Sequence, residues 1–177
     1  IYDSHEQVLM QYRAPENGTA PAFPMHYGLW GGHMETGDES PLHCAKRELK
    51  EELKLKKVKK KLEPVGVFLC PLTSENVCKG TWDLPTSLEP YNCFINWVYK
   101  LRTPKLETVL HEWKENDEKY GCKVGEGYAQ IHHINSIPRP VMTGYRPIIH
   151  YAIRGTAIEI PRGDSLPELL RQIRIQR

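Results

Sequence analysis

One stretch of the chain, Gly31 to Leu55, reads GGHMETGDESPLHCAKRELKEELKL and leaves few ways to fold. A glycine pair opens a loop carrying Glu35, Asp38 and Glu39, and a segment with Arg47, Glu48, Glu51 and Glu52 follows. Ser40 can cap a helix, Pro41 suits its first position, and most residues from Ala45 to Leu53 favour helix, which predicts a helix over Pro41 to Leu53. At about 100° per residue, Leu42, Ala45, Leu49 and Leu53 fall within a stripe about 80° wide, while Glu48, Glu51 and Glu52 occupy a separate flank about 100° wide. One face packs and the other gathers negative charge.

Like charges at i, i+3 and i, i+4 repel, so an acidic flank calls for counter-charge. Lys46, Arg47, Lys50 and Lys54 can provide it on an ordinary solvated helix. The sharper alternative is a hard divalent cation: Mg²⁺ takes oxygen ligands, keeps several waters, and is commonly held by a few carboxylates together with substrate phosphates. Gly31 and Gly32 supply a permissive backbone turn whose carbonyls can approach an ion closely.

The same residues carry a resemblance. The stretch is similar to the signature of the Nudix hydrolases, G-x5-E-x7-R-E-U-x-E-E-x-G-U with U aliphatic: Glu39, seven residues, Arg47-Glu48-Leu49-Lys50-Glu51-Glu52 and Leu55 match in spacing and type. The resemblance implies that Glu48, Glu51 and Glu52 are metal ligands, joined by the Gly32 carbonyl and by Glu39, with the general base left open among the glutamates. It makes Arg47 the residue that orients Glu39 or a box glutamate through charge-assisted hydrogen bonds. It further implies a late catalytic carboxylate at Glu126, in the turn Gly125-Glu126-Gly127, and a basic residue near the phosphates at the end of an early strand, where Arg13 stands.

The chain departs from the signature twice. Six residues instead of five separate Gly32 from Glu39, so either the loop is one residue longer or Asp38 takes the place of the loop glutamate. With Glu39 in that role, its carboxylate is expected to pair with Arg47 and Asp38 becomes a spectator. At the second departure Lys54 stands where the pattern has glycine, so the helix is free to run on into the lysines.

By the resemblance the fold is α/β, a Nudix-type α/β/α sandwich with a mixed sheet between helices, forming a single domain over residues 1–177. The implied reaction is Mg²⁺-dependent cleavage of a phosphoanhydride in a nucleoside diphosphate-linked substrate, with Mn²⁺ able to substitute, and a nucleoside triphosphate is the substrate expected first. Nucleotide sugars, dinucleoside polyphosphates and capped RNA share the box and differ in the pocket. An inactive nucleotide-binding module is disfavoured by the intact Arg47, Glu48, Glu51 and Glu52, and an isomerase by the absence of cysteine from Phe23 to Trp30.

At 177 residues, with 40% hydrophobic and 26% charged, the chain is long enough for one sizeable core. A net charge of +2 gives no field that would recruit nucleic acid generally, so a polynucleotide partner is expected only if the substrate is capped RNA. The five cysteines are odd in number and lack C-x2-C spacing, which argues against a disulfide framework and a zinc site and for reduced thiols in the cytoplasm. No apolar run approaches the ~18 residues of a membrane span. The chain opens on Ile1, and its natural start is expected to lie upstream.

Gln7 to Tyr12, Val65 to Cys70, Cys93 to Leu101 and Tyr128 to Ile134 read as strands. Residues 14–24 and an irregular insertion at about 72–92 read as loops. Phe23 and Tyr27 are candidates to stack on a nucleobase. Residues 108–119 read as a helical or mobile excursion, 144–153 as a helix packing beside the box helix, and Ser165 to Glu168 as a capping box opening a terminal helix. Adjacent on a strand, His132 and His133 point to opposite faces and so cannot share an ion.

Overall fold

The computed structural model describes residues 1–14, 24–54, 62–71, 93–104, 106–111, 116–125, 127–142 and 144–155. Phe23, the lysine run at 56–61, the insertion at about 72–92, Trp113, Glu126 and the terminal helix expected from Ser165 lie outside these residues.

Strand β1 (Gln7–Tyr12) is the centre of the architecture. Ahead of it Asp3, itself buried, folds the chain into a turn: its Oδ1 accepts from the backbone N–H of His5 at 2.8 Å and of Gln7 at 3.0 Å. Val8, Leu9, Met10 and Gln11 are all buried, which marks a strand covered on both faces. Around it runs a five-stranded sheet ordered β2-β1-β7-β6-β5, with β2 at Tyr27–Gly28, β5 at Asn116–Asp117, β6 at Gly121–Val124 and β7 at Gly127–His133. A separate two-stranded ribbon joins β3 (Glu63–Pro71) to β4 (Cys93–Lys100). Among the described residues every strand pair is antiparallel, and parallel pairing occurs in the isolated bridges of Tyr2 with Arg102 and Tyr27 with Val141. Pro64, which has no N–H for the ladder, stands at the one register shift of the ribbon, between Pro64 and Gly66.

Alternation along β1 sorts the core into two layers. Leu9 packs with Leu49 and Leu53 of helix α1 (Pro41–Leu53), with Leu106 of helix α2 (Leu106–His111), and with Val124 and Ala129. Val8 and Met10 face the other way, onto Ile134, Ile137 and Ile149, the last from helix α3 (Tyr145–Arg154). The sheet is thus held between helices in an α/β/α arrangement. Helix α3 does not pack beside the box helix as its sequence position suggests: its apolar residues meet the even-numbered side chains of β1, and even and odd positions of one strand cannot share a face. Within 108–119 the chain forms the end of α2 and the short β5, with residues 112–115 undescribed.

Helix α1 begins where its cap demands. Ser40 is extended and its Oγ accepts the His43 N–H at 3.1 Å, with Pro41 next. It ends at Leu53 instead of running on, because Lys54 adopts the left-handed conformation at φ 49° and ψ 27°. A side chain there costs on the order of 1 kcal/mol, and the helix still ends at this residue although it is not a glycine. Leu53 is fully buried, a burial that contributes roughly 1.5–3 kcal/mol and fixes the helix rotation that turns Glu48, Glu51 and Glu52 away from the core.

Candidate active site

The loop from Gly31 to Glu39 folds back over the acidic flank of α1. Gly31 donates its N–H to Glu52 Oε2 at 3.0 Å. Gly32 lies so close to Glu48 that a β-carbon on it would meet both carboxylate oxygens and stand 2.6 Å from the carboxyl carbon. The glycine pair therefore lets backbone and helix carboxylates share a space that a side chain would fill.

Arg47 organises the carboxylates. Its Nε and Nη2 form a two-pronged bond to Asp38 at 3.2 and 2.9 Å, its Nη1 donates to Glu48 Oε1 at 2.8 Å and to Glu51 Oε2 at 3.0 Å, and its Nη2 also reaches the His33 carbonyl at 3.0 Å. Glu35 stands 3.5 Å from the same guanidinium. Asp38, with a side chain only 1% exposed, is held by the arginine and by the Glu35 N–H at 3.0 Å, and these bonds to its ionised form bring its pKa down to about 2. The same carboxylates push the arginine's pKa further above its ordinary value.

This corrects the expected pairing. Asp38 is the loop carboxylate that meets Arg47, and Glu39 lies exposed at the loop–helix junction with its backbone N–H on His43 Nδ1. A turn closed by the Asp38 N–H on the Glu35 carbonyl, at 2.9 Å, aims Asp38 inward and leaves the next side chain pointing to solvent. The extra loop residue is absorbed before Ser40, so the helix keeps its start while the pairing moves back one residue.

Other expected site residues divide. Gly125 abuts α1, where a β-carbon on it would stand 3.4 Å from Glu52 Cα, so the β6–β7 turn meets the box helix at Glu52. Glu126 itself lies outside the described residues, as does Phe23. Arg13 bonds Gln11 Oε1 through Nη1 at 3.2 Å, on the α1 side of the sheet by alternation with Leu9. Tyr27 is not gathered with the box: it packs on the α3 side with Val8 and Met10, donates its hydroxyl to Gln130 Oε1 at 2.8 Å, and meets the rings of Tyr12 and His132 at 5.0 Å. His132 and His133 serve local structure, the first against Tyr27 and the second accepting the Asn135 N–H. Reasoning from sequence missed Cys44, a buried thiol directed at the His33 carbonyl at 3.5 Å, whose pKa burial raises; its place one position from the apolar stripe was the available signal.

The donor set suits a hard cation in kind, since Glu48, Glu51, Glu52 and the Gly32 carbonyl are all oxygen donors, and the lack of a side chain on Gly32 lets the Glu48 carboxylate lie against the loop. Among the described residues no three acidic, histidine or cysteine side chains already converge on one point; Arg47 supplies the local positive charge. Among the described residues no helix is long and apolar enough to cross a membrane.

Comparison with known proteins agrees with this geometry. The family model of the NUDIX domain matches residues 1–86, which include the glycine pair, the loop and all of α1. No curated protein and no solved structure matches the chain. The NUDIX domain is, in general, that of hydrolases acting on pyrophosphate bonds in nucleoside diphosphate-linked compounds, generally with divalent metals. With Arg47 and three helix glutamates set against the glycine loop, and the family model matching there, residues 1–86 match a NUDIX domain and support membership of the Nudix superfamily.

Proposed function

We propose that the chain is a Mg²⁺-dependent Nudix pyrophosphohydrolase that cleaves a phosphoanhydride bond in a nucleoside triphosphate. The observation that carries this reading is the close approach of the glycine pair to the helix carboxylates: the Gly31 N–H bonds Glu52, and Gly32 lies directly against the Glu48 carboxylate. Glu48, Glu51, Glu52 and the Gly32 carbonyl would hold Mg²⁺ or Mn²⁺. A cation bound there neutralises the anhydride and acidifies the attacking water.

The chain's own residues do the rest. Arg47, anchored by Asp38, holds Glu48 and Glu51 in fixed orientations, so the flank is arranged before substrate arrives. Glu52 is tied to the loop by Gly31 and lies beside the β6–β7 turn, where Glu126 is the proposed late carboxylate. One of these glutamates accepts the proton of the attacking water. Arg13 is the proposed contact to the substrate phosphates. Glu39, exposed and away from Arg47, is assigned at most an outer role.

The test is a panel of nucleoside triphosphates, nucleotide sugars, dinucleoside polyphosphates and capped RNA, incubated with Mg²⁺ and with products resolved. Fastest turnover is expected for a nucleoside triphosphate, releasing pyrophosphate and a monophosphate, with activity abolished by chelator and restored by Mg²⁺ or Mn²⁺ but not by zinc. Preference for another member of the panel would reassign the substrate. Activity persisting in excess chelator would remove the metal reading altogether.

A further inference from the structure

Gln11 lies at the middle of the sheet with no exposure, yet its Nε2 has no hydrogen-bond partner among the described residues. Leaving a buried amide donor unpaired costs roughly 1–3 kcal/mol, and an apolar side chain of the same shape would avoid it. A residue with that cost is not explained by packing. Its other end has a partner, since Gln11 Oε1 accepts from Arg13 Nη1 at 3.2 Å.

Two stretches of chain tie this pair to the acidic flank of α1. Gly127 packs so tightly on β1 that a β-carbon there would stand 3.3 Å from Gln11 Cγ, and Gly125, two residues earlier on the same turn, abuts Glu52. On the other side Gly28 pairs with Gln11 in the sheet, and three residues later Gly31 donates to Glu52. The side chain of Gln11 shares a face with Leu9, which packs against Leu49 and Leu53. Gln11 and Arg13 therefore stand on the helix side of the sheet, at the end where the β6–β7 turn runs from Gln11 to Glu52.

We infer that Gln11 is a positioning residue of the substrate site, its amide oxygen holding the Arg13 guanidinium in the direction of the bound phosphates. This rests on the proposed role of Arg13 as a phosphate contact. A guanidinium at a strand end has several rotatable bonds, and a fixed acceptor removes part of the ordering cost that substrate would otherwise meet. The expense of the unpaired amide is borne for that purpose.

The test uses the full chain with Mg²⁺ and inorganic pyrophosphate as the probe, read by calorimetry, and KM and kcat on the best substrate of the panel. Gln11→Met keeps length and burial but removes the acceptor, and should weaken pyrophosphate binding and raise KM about tenfold with kcat nearly unchanged. Its thermal midpoint should equal or exceed that of the native chain, an outcome a merely structural role would not give. Gln11→Asn, which keeps the amide but draws it back from Arg13, should show the same KM rise. Arg13→Ala should match these losses, and adding Gln11→Met to it should cost nothing more. If Arg13→Ala weakens binding while both Gln11 variants bind normally, the inference fails and the Arg13 reading stands. If Arg13→Ala itself binds normally, both fail.

Discussion

Replacing Gly32 by alanine tests whether the loop and the helix form one site. The added β-carbon would stand 2.6 Å from the Glu48 carboxyl carbon and 2.7 Å from its Oε2, about 1 Å short of ordinary contact. The obstacle is the tip of a flexible side chain, so the fold should yield at little cost, within about 0.5 kcal/mol and about 2 °C in thermal midpoint. Glu48, however, must retreat by that distance, which takes its Oε1 off Arg47 Nη1, now at 2.8 Å. A displacement on the order of 1 Å at a reacting centre can cost about 10²-fold in rate. We therefore expect Gly32→Ala to lose about two orders of magnitude in kcat and to need more Mg²⁺ for half-maximal rate, measured by pyrophosphate release across a metal titration. Gly37→Ala is the control, since a β-carbon there meets nothing within 4 Å, and it should behave as the native chain. Native turnover and native Mg²⁺ dependence in Gly32→Ala would refute the placement of Glu48 in the site, and a collapse of the thermal midpoint would make the glycine structural.

Glu51→Gln and Glu52→Gln should each lower turnover by orders of magnitude and leave the thermal midpoint in place, because both lie off the stripe formed by Leu49 and Leu53; equal activity in either variant would exclude it from the site. Asp38→Asn should weaken activity more than Glu39→Gln does, and its effect should shrink in an Arg47→Ala background, since it is Asp38 that the arginine holds. Asp38 titrates near 2 when folded against an ordinary 3.8, so its stabilisation is complete above about pH 4 and is lost as pH falls toward 2; thermal midpoints of Asp38→Asn should therefore fall less steeply than those of the native chain over that window, and parallel curves would show the bond to be idle. Lys54→Gly should relieve the left-handed cap and raise stability by about 1 kcal/mol, or about 2–4 °C, with activity unchanged; a loss of stability would mean that the lysine side chain holds the helix end.

Helix α1 was legible in full because everything that specifies it lies within one turn of itself. Ser40 and Pro41 set its start, the spacing of Leu42, Ala45, Leu49 and Leu53 sets its buried face, and the acidic flank follows from the same 3.6-residue period. The longer strands β1, β3, β4 and β7 were legible by composition, to within a few residues at their ends, whereas the short β2, β5 and β6 were not, since two to four residues carry too little periodicity to read. Tertiary structure decided what depends on residues far apart. Which face of the sheet α3 covers follows from the side of β1 that Val8 and Met10 occupy, and nothing within 144–153 encodes that. Gln11 reads as an ordinary strand residue until β7 and β2 close around it and leave its amide unpaired. Spacing alone favoured Glu39 over Asp38 as the partner of Arg47, since seven residues separate Glu39 from the arginine. The choice went to Asp38 because the turn from Glu35 aims that side chain inward, where the arginine can bond it with two nitrogens and the Glu35 N–H with a third, an arrangement that exists only once the loop has folded onto the helix.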